Sequence, residues 1–262
     1  MSAEAVPQSL SDHQYAEHIR VAVAAALAGG EVIREAFSQP KQVETKLNNH
    51  ADLVTATDKA VEVGVVYNPV LRELFVAAEG GGAFLNGARL AVSGVTTMQS
   101  ALLGTEVGSS RQEETMDVVL GRVRALAGRM RALRCTGSCA LGLANVAAGR
   151  CDAFYEIAFG GCWDAAAGGL LVSEAGGTMR DPAGGPWDVM ARRVMAAASG
   201  ELADAMAAVL AGCKLGSAEP GPPGPGTVAS VGAVVEEEKG AEGGGEAVVD
   251  AAGEEEGAGE SA

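Results

Sequence analysis

Three short stretches carry residues whose types and spacing could do chemistry. In Cys162-Trp-Asp-Ala-Ala-Ala-Gly168 an aspartate precedes a run of small, helix-forming residues. The Asp164 carboxylate could cap the first helical turn by accepting backbone N–H groups. It could also bind a hard cation such as Mg2+, which takes oxygen ligands. One oxygen can serve each role, so the two readings are compatible. Gly137-Ser-Cys-Ala-Leu141 follows an apolar run and opens a helical pattern. The unpaired N–H groups at such a start, with the positive end of the helix dipole, can hold an anion. An ordinary Ser-capped helix would need the same residues. Glu156 closes another apolar run shortly before Asp164. It reads either as a solvated carboxylate or as an acceptor for sugar hydroxyls.

Other chemistries find little support. Gly80-Gly-Gly-Ala-Phe-Leu-Asn-Gly87 does not fit GxGxxG and precedes a hairpin pattern rather than a helix, which argues against a dinucleotide site. There is no Walker A motif, and His13, His18 and His50 lie near no nucleophile-like motif.

The elements that must position these residues follow from hydrophobic periodicity. Ser11–Phe37 reads as an amphipathic helix with Tyr15, Ile19, Val23, Ala26, Ile33 and Phe37 near one face, stopped by Pro40. Leu53–Glu62 starts a second helix, and Val63–Tyr67 is a β-branched strand ended by Asn68-Pro69. Leu74–Ala78 and Arg89–Ser93 are expected strands around a Gly-rich hairpin whose tip, Asn86-Gly87, signals a type I′ turn. Strands are expected at Leu102–Val107, Met130–Leu133, Cys151–Ile157 and Val194–Ala198. Helices are expected at Arg111–Ala127, from Gly137-Ser138 to Ala148, at Asp164–Glu174 and at Glu201–Leu210. Alternating strands and helices point to a layered α/β architecture.

The chain has 262 residues, enough for one large or two small domains with a real core. It is 48% hydrophobic but only 4% aromatic, so its packing must rest on small aliphatic side chains. The net charge of −15 is uneven: Lys214–Ala262 holds eleven acids and two lysines. That stretch, with Pro-Gly-Pro-Pro-Gly-Pro-Gly and two triple-glutamate runs, cannot bury a core. We therefore expect a domain over 1–213 and a disordered acidic tail over 214–262. The acidic balance argues against nucleic-acid binding, which needs a basic stripe. Five cysteines show no CxxC or metal-finger spacing and read as reduced, structural thiols. The first residues carry neither a basic start nor an apolar run, and Val21–Leu27 is too short to span a bilayer. A soluble, cytoplasmic protein is expected, with a plastid address left open.

With these segments in hand, the chain resembles the inositol monophosphatase family, most of all its plant and green-algal branch. Asp52-Leu-Val-Thr-Ala-Thr-Asp-Lys59 is similar to the family's DLVTxTDK signature, and Trp163–Gly168 with Glu174-Ala-Gly-Gly177 to its WDxAAG and EAGG signatures. Gly64–Pro69 and Gly82–Gly87 resemble the family's strand and hairpin, and Gly137–Leu141 and Phe154–Gly161 resemble the branch. The resemblance implies a layered αβαβα fold, a homodimer, and Mg2+-dependent hydrolysis of a phosphate monoester such as inositol 1-phosphate or L-galactose 1-phosphate. It implies Asp164 as a metal ligand, Gly137, Ser138 and Cys139 as substrate contacts, Glu156 as a sugar contact, and Lys46 and Asp58 as support near the metal.

One departure is severe. Between the segments that meet here at Glu62-Val63, the family carries a block with a GEE glutamate and a DPxDGTxN motif, the source of most metal carboxylates and of a water-orienting threonine. No DP-x-D-G occurs here; Asp181-Pro-Ala-Gly184 lacks the second aspartate. A helix running straight into a strand, with no connecting residues, falls at the same bond. An internal deletion at Glu62-Val63 accounts for both, and little activity is expected from this exact chain. Alternatively the chain is a non-catalytic variant, acting as dimer partner, regulator or anion-binding module. Full-length transcripts across the codons for Glu62 and Val63 should contain an in-frame insert encoding GEE and DPxDGT segments. Transcripts that all join Glu62 directly to Val63 would favour the non-catalytic variant.

Overall fold

The computed structural model describes residues 6–37, 62–217 and 219–222. Lys46, Asp58 and the expected helix from Leu53, but for Glu62, lie outside the described residues, as do the side chains of Ile33 and Phe37 and everything past Pro222.

A single turn, α1 (Gln8–Ser11), leads into the long α2 (Ala16–Phe37). Then β1 (Val63–Asn68), β2 (Glu73–Ala78), β3 (Gly82–Leu85) and β4 (Ala88–Arg89) form an antiparallel sheet in sequential order. The period-2 alternation of its strands decides what each face covers. Leu74, Val76 and Phe84 pack with Ile19 and Val23 of α2, while Phe75, Ala77 and Ala83 join the central core.

A second sheet follows, in the order β6-β5-β7-β9-β8. It comprises β5 (Leu102–Thr105), β6 (Ala132–Arg134), β7 (Ala153–Ile157), β8 (Thr178–Arg180) and β9 (Arg193–Ala197). Strands β6 and β7 run parallel to β5, and β9 is antiparallel to β7 and β8. Phe154, Val194 and Ala196 face the central core, where α4 (Cys139–Ala147) and α5 (Ala166–Glu174) lie. Ala153, Tyr155, Met195 and Ala197 face the opposite way, onto α3 (Glu113–Ala127) and α6 (Gly200–Leu210). The layers are therefore αβαβα, as expected.

The central layer is built from small residues because two sheets press on it. A Cβ at Gly168 of α5 would lie 2.6 Å from Leu143 Cβ of α4. One at Gly142 of α4 would lie 2.3 Å from the Phe154 ring, and one at Gly64 of β1 would lie 2.9 Å from the Ala167 carbonyl. Close packing leaves no room for these atoms.

Several local expectations shift. The Asn86-Gly87 turn is present, with φ of 49° and 84°, and it joins β3 to β4. However, β4 ends at Arg89 rather than continuing to Ser93. The chain leaves the sheet there because the core draws it away: Leu90 and Val92 pack against the central cluster, and the Val92 N–H donates to the Ala175 carbonyl at 3.1 Å. The hairpin is also clamped from afar, since the Gly80 and Gly82 N–H groups donate to the Glu174 carboxylate at 2.8 and 2.7 Å. The helix expected at Asp164–Glu174 divides into a 3-10 turn, Cys162–Asp164, and α5 from Ala166. The packed chain also runs beyond the compositional boundary at Cys213, because Glu219 pairs with Arg122 inside the domain. No described helix is long and apolar enough to cross a membrane.

Gly168→Ala should destabilise the chain by about 1–3 kcal/mol through overpacking. The control is Gly121→Ala, in α3, where a Cβ meets nothing within 4 Å; it should stabilise by about 0.5–1 kcal/mol. Urea unfolding of both variants checks the pair.

Candidate active site

Parallel pairing puts the C-terminal ends of β5, β6 and β7 on one side of the second sheet. The chain leaves β5 for β6 on one flank and then returns to β7 on the other. Such a switch point opens a crevice where ligands bind. Here a cleft of about 650 Å3 is lined by Glu106 and Arg111 after β5, by Gly137, Ser138 and Cys139 after β6, and by Glu156 on β7. Asp164 completes it from the turn before α5.

Four of the sequence candidates are held by α4 and β7. Ser138 is the N-cap of α4, its hydroxyl accepting from the Leu141 N–H at 3.3 Å. Cys139 begins the helix and is buried. Gly137, at φ 82°, turns the chain into it. Burial, then the Glu156 carboxylate, push the Cys139 thiol far above its usual range. It stays protonated and packs as a small apolar group rather than serving as a nucleophile.

Glu156 sits on β7 at 8% exposure, and its Oε2 has no hydrogen-bond partner. Burial is the main reason its carboxyl is raised from 4.5 to about 7. The Cys139 thiol pulls the other way, and the Glu106 and Asp164 carboxylates add to the rise. Near neutral pH it is therefore a partly protonated group facing the cleft, able to donate as well as accept.

Asp164 does not cap α5, whose N-cap is Ala165. Its Oδ2 instead accepts from the Gly161 N–H at 3.0 Å, closing its own turn. Gly160 permits this approach, since a Cβ there would lie 2.5 Å from that oxygen. The preceding bend is fixed by Arg192, whose Nε donates to the Phe159 carbonyl at 2.7 Å. It includes Ala158 at φ 66°, a conformation that costs energy for a residue with a Cβ.

Two cleft residues escaped the sequence reading. Glu106 Oε1 accepts from the Thr136 and Gly137 N–H groups at 2.7 and 2.8 Å, and from the Thr136 hydroxyl. It thereby ties the end of β5 to the loop before α4. Arg111 is the single cationic side chain among the lining residues, and its guanidinium donates to the Gly108 and Ser110 carbonyls. The signal for Glu106 was an acid near the C-terminal end of the expected strand at Leu102–Val107, on the edge where parallel strands place ligands.

The carboxylates share a cleft but do not form a metal cage. Among the described residues no three His, Cys, Asp or Glu side chains could hold one ion. Two of the three acids are already committed to backbone N–H groups.

A family model for the inositol monophosphatase family matches residues 59–215. Inositol monophosphatase 2 of Solanum lycopersicum is 37% identical over 257 residues, covering 72% of this chain and 96% of that protein. Inositol monophosphatase 3 of the same plant is 37% identical over 256 residues, with 72% and 94% covered. Among solved structures, an inositol monophosphatase from Anabaena (Nostoc) superposes with a TM-score of 0.54 at 32% identity, over 58% of this chain and 60% of that one.

A raised carboxyl favours the folded state while protonated, so stability from Glu156 is present below its unfolded value of 4.5 and fades as pH rises through about 7. In metal-free buffer, Glu156→Gln should therefore gain on the parent chain between pH 5 and 8, by roughly 1–3 kcal/mol at the upper end. Urea unfolding at the two pH values measures the difference.

Proposed function

Because the chain belongs to the inositol monophosphatase family, we propose that its cleft descends from a phosphate-monoester hydrolase site, for inositol 1-phosphate or a related sugar phosphate, and that this chain alone has little activity. The observation that carries the reading is the charge of the cleft: Glu106, Glu156 and Asp164 face Arg111 alone.

Each residue keeps a role that suits the substrate class. The N–H groups of Cys139 and Ala140, in the first turn of α4, have no intrahelical acceptor and suit a phosphate oxygen. Glu156, able to donate or accept, suits a sugar hydroxyl. The Gly137 N–H, however, is already given to Glu106, and a phosphate carrying up to two negative charges would meet carboxylates on two sides. Its binding would be unfavourable without added cations. Mg2+ is the ion that the family resemblance implies, and it would supply that charge. The described residues do not fit it, since no three of their His, Cys, Asp or Glu side chains could hold one ion.

The alignment with the Solanum lycopersicum relative supports a missing block. It runs 257 residues and spans 96% of that protein, yet engages 72% of this chain. Such a disproportion needs a stretch of the relative with no counterpart here, and we place it at Glu62-Val63. A homodimer in the cytoplasm belongs to the same proposal.

The purified 262-residue chain, assayed with inositol 1-phosphate and millimolar Mg2+, should release phosphate at least about 10³-fold more slowly than the Solanum lycopersicum enzyme assayed beside it. Turnover within tenfold of that enzyme, abolished by Asp164→Asn, would overturn the inactivity.

A further inference from the structure

Arg122 belongs to α3, yet it is 3% exposed, which for a guanidinium demands a partner. The partner comes from beyond the compositional boundary. Both carboxylate oxygens of Glu219 accept from the two Arg122 nitrogens, and both side chains are 4% exposed. The Gly216 N–H donates to Glu219 Oε2 at 2.7 Å, holding the carboxylate at the required angle. The next residue makes a second anchor: the Pro220 carbonyl accepts from Arg193 Nη1 at 3.0 Å. Arg193 is itself fixed by a buried, two-pronged pair with Asp181 at 2.7 and 3.0 Å. Glu219 and Pro220 thus bridge α3, through Arg122, to β9, through Arg193.

Helix α3 begins immediately after the loop that carries Glu106 and Arg111 into the cleft. A second cavity, of about 230 Å3, is lined both by Glu106, Val107 and Ser109 of that loop and by Arg122, Tyr155 and Glu219. The loop and the Arg122–Glu219 pair therefore border one cavity, and the pair ties α3 to the segment after Cys213. We propose that Glu219 is a latch: seated on Arg122, it holds α3 and with it the 106–111 loop, so that Glu106 keeps its bonds to Thr136 and Gly137. Unseating it leaves Arg122 as a buried, uncompensated cation that α3 must move to hydrate. The latch thereby couples the segment after Cys213 to the geometry of the α4 N-terminus.

Amide exchange in the full 262-residue chain tests it. The reporters are the Gly216 N–H, held by Glu219, and the Thr136 and Gly137 N–H groups, held by Glu106. Glu219→Gln should lower protection at all three by about tenfold or more, with β9 and α5 unchanged. Arg122→Met combined with Glu219→Leu, an apolar pair of similar volume, should return Thr136 and Gly137 to parental protection. Thr136 and Gly137 protection that stays parental in Glu219→Gln, while Gly216 loses its own, would overturn the proposal. If Glu219→Gln raises exchange throughout, the guanidinium dependence of exchange in the parent chain decides. One shared opening for the three amides, at lower free energy than β9, upholds the latch; separate openings overturn it.

Discussion

The fold depends on how thin its middle layer can be. Helices α4 and α5 lie between two sheets, and each must touch both a sheet and the other helix. Ordinary side chains on every face would hold the sheets too far apart for Phe75 and Phe154 to enter one core. Glycine and alanine at the contacts solve this at a cost in helix propensity. Gly169 gives way to the Trp187 ring, which a Cβ would approach to 2.3 Å, much as Gly168 gives way to Leu143. The low aromatic content reflects the same constraint. A few large rings fill the spaces that many small residues leave.

The candidate site inherits its geometry from that layer. Because α4 and β7 pack together through Gly142 and Phe154, the start of α4 and the end of β7 meet at a fixed point, which places Cys139 and Glu156 face to face. Because α5 is pressed between sheets, the turn before it can move little, and Asp164 is held by its own Gly160-Gly161 bend. Positions are thus well determined while the charge is not balanced. The outcome is an acidic cleft whose lining carries one arginine.

Much of this was legible in the sequence. The strand expected at Cys151–Ile157 is present as β7, Asn86-Gly87 identified the β3–β4 turn, and Ser138 identified a helix start. Each signal is local, set by sterics or by a side chain within four residues. The αβαβα order came from the resemblance, since periodicity alone indicates alternating elements without their layering. What stayed hidden depends on distant partners. Glu106 matters because β6 ends beside it, and Arg122 can be buried on α3 because Glu219 pairs with it. The early end of β4 is of the same kind, because nothing in Leu90-Ala-Val92 announces that Ala175 waits to accept a hydrogen bond. Asp164 misled for a different reason. An acid before a run of alanines suits a helix cap, and only the conformation at Gly160-Gly161 shows that it closes its own turn.

The clamp of Glu174 on the Gly80 and Gly82 amides joins residues more than ninety positions apart. The first sheet consists of hairpins that can zip within microseconds of leaving the ribosome, yet one of its faces is covered by α4 and α5. At ordinary elongation rates those helices follow β2 by roughly ten seconds. Throughout that interval Phe75, Ala77 and Ala83 have only solvent or another nascent chain against them. The N-terminal sheet is thus finished in shape long before it is covered, and the burden of keeping it apart from its neighbours falls on the cell rather than on the sequence.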